Sequence, residues 1–234
     1  MSQQEFVLKI FEFLLLLFAL SLHEAAHAWT ASRLGDPTAR MLGRVTLNPM
    51  KHIDLFGTII LPLIMLFLPG FGQFLIGWAK PTPVTGRNFK NFKRDDMLVT
   101  LAGPTSNLLI AIASTILLVL LAKFAPQGAL ITHALAMGDW TIVFSAGGAI
   151  APIGMLLYLS VWINLMLTIF NLLPLPPLDG SHILRNLLPY KALRFYDSLG
   201  GWIGLILIIF IGAPIMDFFL SPMLALVNRI LLAT

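Results

Sequence analysis

The 234-residue chain contains no cysteine, and its charged residues make up only 11% of the total. The first absence excludes disulfides and thiolate metal ligands. It leaves histidine, aspartate and glutamate as the strong ligands available, and the redox compartment open. The scarcity of charge, set against 58% hydrophobic residues and a mean hydropathy of +0.88, excludes an ordinary soluble fold. This composition belongs in a bilayer. A net charge of +4 raises the possibility of nucleic acid, but basic residues scattered through so apolar a chain are better explained by the orientation of membrane loops. A clear small-residue cleavage site is also missing after the first apolar run, which carries Glu5 and Glu12 and only Lys9 as a basic flank. A retained helix is therefore expected rather than a signal peptide.

What is present is a series of apolar runs broken by proline, glycine and charge. Residues 6–30 read as a first span, 97–122 as a second, 152–173 as a third and 199–219 as a fourth; 223–233 are too short to cross alone. Gly35-Asp36-Pro37 marks a turn, and Gly43-Arg44-Val45-Thr46-Leu47 reads as a short strand. Residues 55–69 are apolar but short, with Pro62 inside and Pro69-Gly70 at the end. The following Gly77-Trp78-Ala79-Lys80-Pro81-Thr82-Pro83-Val84 holds two prolines so close together that its backbone must be extended. From the end of the second span to Gly148 the breakers Pro126, Gly128, Gly138 and Asp139 predict a linker with a short apolar patch.

The basic residues set the topology. Segments 31–54, 71–96 and 180–198 hold four, five and three of the fifteen lysines and arginines, so all three are expected to face the cytosol. A single crossing by residues 55–69 would put the first two on opposite sides. Residues 55–84 are therefore expected to dip into the membrane and return, and irregular backbone at that depth must line protein or a wet cavity.

At the end of the first span stands His23-Glu24-Ala25-Ala26-His27. On a helix the two histidines are about 40° apart and one turn displaced, so both imidazoles can reach one ion with Glu24 beside it. A catalytic zinc has three protein ligands and a water, so one ligand is missing. Asp179, in Asn171-Leu172-Leu173-Pro174-Leu175-Pro176-Pro177-Leu178-Asp179-Gly180, is the best candidate. The alternative for Asp179 is a helix cap before Gly180. The topology puts the ends of the first and third spans on one side, and so Asp179 and His27 at similar depth. Asn171 and Asn164 share a helix face seven residues apart; for Asn164 the preferred reading is an interhelical hydrogen bond. Gly103, Pro104 and Asn107 read as packing and bend residues. His52, His133 and His182 fall in predicted loops, with His182 a reserve ligand.

With these residues in view, the chain resembles the site-2 protease family of intramembrane zinc metalloproteases. The resemblance rests on His23 to His27, on Ala102-Gly103-Pro104-Thr105-Ser106-Asn107, on Gly77 to Val84, and on Asn171 to Gly180, in that order along the chain. It implies one zinc ion held by His23, His27 and Asp179, Glu24 as catalytic acid and base, Asn171 as a substrate or oxyanion ligand, and a membrane-embedded β element near residues 77–84. The implied architecture is an all-α polytopic membrane protein of about four to six transmembrane helices. It forms a single metalloprotease domain over 1–234, with a re-entrant β region at about 36–84 and no PDZ or nucleotide-sensing domain. The implied activity is cleavage of other proteins' transmembrane segments near the cytosolic face of the cell membrane, following a first cut outside. The expected partners are those substrates and lipid, with no nucleic acid.

Two rivals are distinguishable. A non-proteolytic metal-binding or transport protein would carry polar residues along a continuous path through several spans, whereas here they are expected to cluster at one depth. Another membrane protease of the same histidine motif would take its third ligand from a later helix as glutamate or histidine, unlike the proline-rich turn before Asp179. The topology has its own test. Cysteines engineered singly at 70–76 of this cysteine-free chain are expected to resist a membrane-impermeant thiol reagent added outside the cell; rapid labelling from outside would mean that residues 55–69 cross fully.

Overall fold

The computed structural model describes residues 2–67, 77–207, 210 and 212–234. Their regular structure is helical, and none of them forms a β-strand. Helix α1 (Gln3–Arg33) opens with a capping box: the Glu5 amide donates to Ser2 Oγ at 3.1 Å and the Ser2 amide to Glu5 Oε2 at 2.8 Å. Short α2 (Thr38–Met41) follows a turn in which Gly35 has φ +109°, the left-handed region open to glycine. A wide π-type turn over Leu55–Ile60 runs into α3 (Leu61–Phe67). Then come α4 (Phe92–Phe124), α5 (Gly128–Met137), α6 (Trp140–Ser145), α7 (Ile150–Leu172), α8 (Asp179–Leu187), α9 (Tyr190–Ser198), α10 (Trp202–Leu207) and α11 (Ala213–Leu232).

Four of these, α1, α4, α7 and the α11 stretch Pro214–Leu232, are long and apolar enough to cross a bilayer. The first three match the expected spans. The expected fourth span, 199–219, includes residues outside the described ones, while 223–233, expected to be too short to cross alone, belong to α11 itself. Pro214 sits in the first turn of α11, where a missing N–H costs nothing. The expected linker before Gly148 is also structured, since α5 and α6 pack into the core.

Helices α1 and α7 both lie antiparallel against α4. Thr168 Oγ1 reaches Pro104 O, Asn107 Nδ2 reaches Asn164 Oδ1, and Ser114 Oγ meets Ser160 Oγ, a series that rises along α4 as it falls along α7. Two apolar cores fill the bundle. One joins Leu16, Ala19 and Leu20 of α1 to Ile163, Met166 and Leu167 of α7, with Leu66 and Ala79 beneath. The other joins Leu118, Ile131, Leu135, Met155, Leu159 and Leu231. Because two antiparallel contacts share α4, the C-terminal ends of α1 and α7 finish at the same end of the bundle.

Between α1 and α4 the described residues form no ladder. The expected strand at 43–47 is absent: Gly43 adopts φ +67°, and Arg44 donates its guanidinium to the Lys51 carbonyl. Residues 77–85 are a strap with the every-second-residue habit of extended chain. The amides of Trp78, Lys80 and Thr82 point inward, to Gly57 O at 3.0 Å, His52 O at 2.8 Å and Glu24 Oε2 at 2.8 Å. The deepest part of the expected re-entrant hairpin, 68–76, lies outside the described residues. His52, expected at the surface, is only 1% exposed, because its Nε2 bonds to the Thr46 carbonyl under the loop it anchors.

Asp36 ties the far end of the strap. Wholly buried at 0% exposure, it accepts from the Thr38 amide and hydroxyl, from Asn88 Nδ2 at 2.7 Å and from the Thr85 amide at 2.7 Å. Burial raises its pKa, but those four donors outweigh it and hold the carboxyl below its usual value. Asp36→Ala should therefore lower stability by about 1–3 kcal/mol at pH 7, read as a fall in thermal unfolding temperature in detergent. A depressed carboxylate stabilises above its unfolded pKa of about 3.9, and the contribution is lost as pH falls through the lower folded value. Wild type and variant should thus differ equally at pH 6 and 8 and converge only in strong acid.

Candidate metal centre

His23 and His27 stand one turn apart near the end of α1, 4% and 7% exposed, with ring centroids 4.7 Å apart and the rings near perpendicular. Each ring is oriented by an acceptor on α4. His23 Nδ1 lies 2.6 Å from Asn107 Oδ1 and His27 Nδ1 lies 2.7 Å from the Val99 carbonyl. The second partner can only accept. The first must accept too, because Asn107 spends its Nδ2 hydrogens on Ala19 O and Asn164 Oδ1. Both neutral rings are therefore protonated on Nδ1 and bare on Nε2.

The bare atoms converge. His23 Nε2 and His27 Nε2 are 3.0 Å apart, and Asp179 Oδ2 lies 3.1 and 3.3 Å from them. Asp179 arrives from the turn after α7, where Pro174, Pro176 and Pro177 end the helix. It opens α8 without capping it, its carboxylate turned to the histidines instead. Asp179 Oδ2 is buried and has no hydrogen-bond donor. Three acceptor atoms facing one another without a proton between them repel unless a cation joins them. Their spacing suits one: tetrahedral bonds of 2.0–2.1 Å put ligand atoms about 3.3 Å apart. Gly103 of α4 forms the wall behind them. A Cβ there would stand 2.6 Å from His23 Nε2 and collide with His27 Nε2, so only glycine leaves the space free. Among the described residues, His23, His27 and Asp179 are the group of potential ligands close enough to hold one metal ion.

Glu24 points to the strap, its Oε2 accepting the Thr82 amide. Asn171 sits in the last turn of α7, half-buried, and its side-chain amide donates back to Leu167 O at 3.0 Å. His182 is exposed and outside the ligand group. The expectation that polar groups cluster at one depth needs correcting. From His23 a buried chain runs through Asn107 and Asn164 to Ser160, which meets Ser114. Residues 107 to 114 span about 10 Å of helix. Every member of that chain is hydrogen-bonded, and it contains no carboxylate.

Asn107 is the residue whose role the sequence understated. The available signal was its spacing: Gly103 and Asn107 are four apart, as His23 and His27 are, so a small residue and an amide can face two stacked imidazoles. Nothing in the linear order links positions 84 residues apart. Partners of this kind typically change metal affinity 10- to 100-fold, so Asn107→Ala should weaken zinc binding by about that factor in a chelator competition. Gly103→Ala should lower bound zinc further, and full zinc occupancy in Gly103→Ala would contradict this geometry.

The model of peptidase family M50 matches residues 11–211. A Bacillus subtilis protein named "Putative zinc metalloprotease YwhC" is 37% identical over 211 residues, covering 89% of this chain and 83% of its own length. Proteins named "Putative zinc metalloprotease Rip2" are similar too. The one from Mycolicibacterium smegmatis is 31% identical over 86% of this chain and 66% of its own length. The one from Mycobacterium tuberculosis H37Rv is 32% identical over 70% of this chain and 52% of its own. No solved structure matches the chain. With four helices able to span a bilayer and a family match across most of its length, the chain is an integral membrane protein that belongs to peptidase family M50, the site-2 proteases.

Proposed function

We propose that the protein is an intramembrane zinc metalloendopeptidase that hydrolyses peptide bonds within or near transmembrane segments of other membrane proteins, in regulated intramembrane proteolysis. The observation that carries this reading is the convergence of two bare imidazole nitrogens and an undonated carboxylate oxygen inside a bundle of apolar helices, with Glu24 on the same turn of α1.

In this reading His23, His27 and Asp179 hold one zinc ion, and Asn107 and Val99 keep the imidazoles in the ligating tautomer. When bound, zinc supplies a Lewis acid and a water of lowered pKa. Glu24 takes the proton of the attacking water and returns it to the leaving amine. Asn171 Nδ2 donates one hydrogen to Leu167 O and has a second to offer the carbonyl oxygen of the substrate. A substrate segment must unwind to expose its peptide bond, and the strap at 77–84 offers it an edge. Since the amides of Trp78, Lys80 and Thr82 point inward, the outward positions are 79, 81 and 83. Two of these are prolines, so that edge presents mostly carbonyl acceptors to the substrate's N–H groups. Beside His23 an apolar groove of about 310 Å³, lined by Leu22, Ala26, Trp29, Val45 and Leu47, suits the aliphatic side chains of such a segment. The basic segments orient the centre towards the cytosolic face of the cell membrane.

A transport role is disfavoured by the buried polar chain itself, because its amides and hydroxyls are already paired and offer no acid to a passing cation. The deciding experiment is metal analysis of protein in lipid nanodiscs together with cleavage of a panel of single-pass substrates. Glu24→Gln should keep stoichiometric zinc and lose about 10²- to 10⁴-fold in kcat, while Asp179→Ala should lose both zinc and cleavage. Wild-type cleavage by Glu24→Gln would sink the mechanism.

A further inference from the structure

Thr82 touches Glu24 twice. Its backbone N–H donates to Glu24 Oε2 at 2.8 Å, and its hydroxyl donates to the Glu24 carbonyl at 3.0 Å. The neighbours on both sides are Pro81 and Pro83, which have no N–H, so the single amide hydrogen within residues 81–83 is committed to the carboxylate. Lys80 and Thr82 each precede a proline and are thereby confined to extended backbone. The strap is pinned on either side of this contact, by the Lys80 amide on His52 O at 2.8 Å and by the Thr85 amide on Asp36 Oδ2 at 2.7 Å. Glu24 Oε1 receives no hydrogen bond from the described residues, so one carboxylate oxygen is fixed and the other is left free.

We propose that Thr82 is a positioning residue: its main-chain N–H, fixed between two prolines, orients the Glu24 carboxylate so that the free oxygen faces the water it deprotonates. The proposal rests on the metalloprotease reading above. An amide bonded to a carboxylate is charge-assisted, and a main-chain donor held at three points cannot rotate away as a side chain can. The same strap presents its outer edge to substrate, so the donor that holds the base and the substrate edge belong to one piece of chain. A misplaced base raises the barrier without altering the metal or the docking of substrate, which predicts a loss in kcat alone.

Two measurements test this. Hydrogen exchange read by mass spectrometry on the full-length protein in nanodiscs addresses the contact without reference to activity, since residues 81–83 contribute one amide. Thr82 exchange should accelerate at least about tenfold in Glu24→Ala, and much less in Glu24→Gln, which retains a carbonyl acceptor. Equal rates in wild type and Glu24→Ala would overturn the contact. For function, replacing Thr82 by its α-hydroxy acid counterpart removes the N–H and weakens the Pro81 carbonyl as an acceptor. It should lower kcat about 10- to 100-fold at unchanged zinc content, with a far smaller change in KM, whereas Thr82→Val, which keeps the amide, should lose less than about threefold. If wild type cleaves, Glu24→Gln does not, and the N–H-deleted protein matches wild type, the positioning role falls while the metalloprotease reading stands. If wild type and Glu24→Gln behave alike, that reading falls and the positioning role with it.

Discussion

Two Nδ1 hydrogens hold the centre of this protein together. By donating to Asn107 and to the Val99 carbonyl, they leave both Nε2 lone pairs aimed at the same point as the Asp179 carboxylate. Were either acceptor to turn away, an imidazole could rotate or change tautomer, and a proton would occupy the place of a metal. Both acceptors lie on α4, so the candidate metal centre depends on how α1 packs against that helix, and the small residue at 103 allows the approach.

The surroundings explain why so much of α4 and α7 is given to amides and hydroxyls. In a medium without water, each polar group must find its partner within the protein. Asn107 satisfies His23 and is satisfied in turn by Asn164, which rests on Ser160. The chain of bonds serves as the scaffold of the centre and as the register of the α4 and α7 pair. Buried polar networks are costly when incomplete, so the completeness of this one ties the position of His23 to the packing of three spans.

The strap at 77–85 plays the complementary part on the other side of α1. It has the local conformation of a strand with no strand beside it among the described residues, and its inward amides go to a wide turn, a loop carbonyl and the Glu24 side chain. Asp36 secures the strap where it leaves the site. The strap's other side carries two prolines, at 81 and 83, and so presents mostly carbonyl acceptors.

Much of this protein was determined by its sequence alone. Poverty of charge and abundance of apolar runs require a membrane protein, the histidine pair at helical spacing requires a shared ligand position, and the distribution of lysine and arginine puts the ends of the first and third spans on the same side. Such properties are legible because each depends on local periodicity, composition or a charge count. What only the tertiary structure decided are relations between distant residues: the tautomers of the imidazoles, the polar chain from His23 to Ser114, and the grip of Thr82 on Glu24. The extent of α11 and the absent strand at 43–47 belong with them, because a proline is tolerated in a helix's first turn and an alternating segment becomes a strand only if a neighbour pairs with it. Hydrogen bonds across 58 or 84 positions leave no period in a sequence, and only packing selects which of the available donors and acceptors meet.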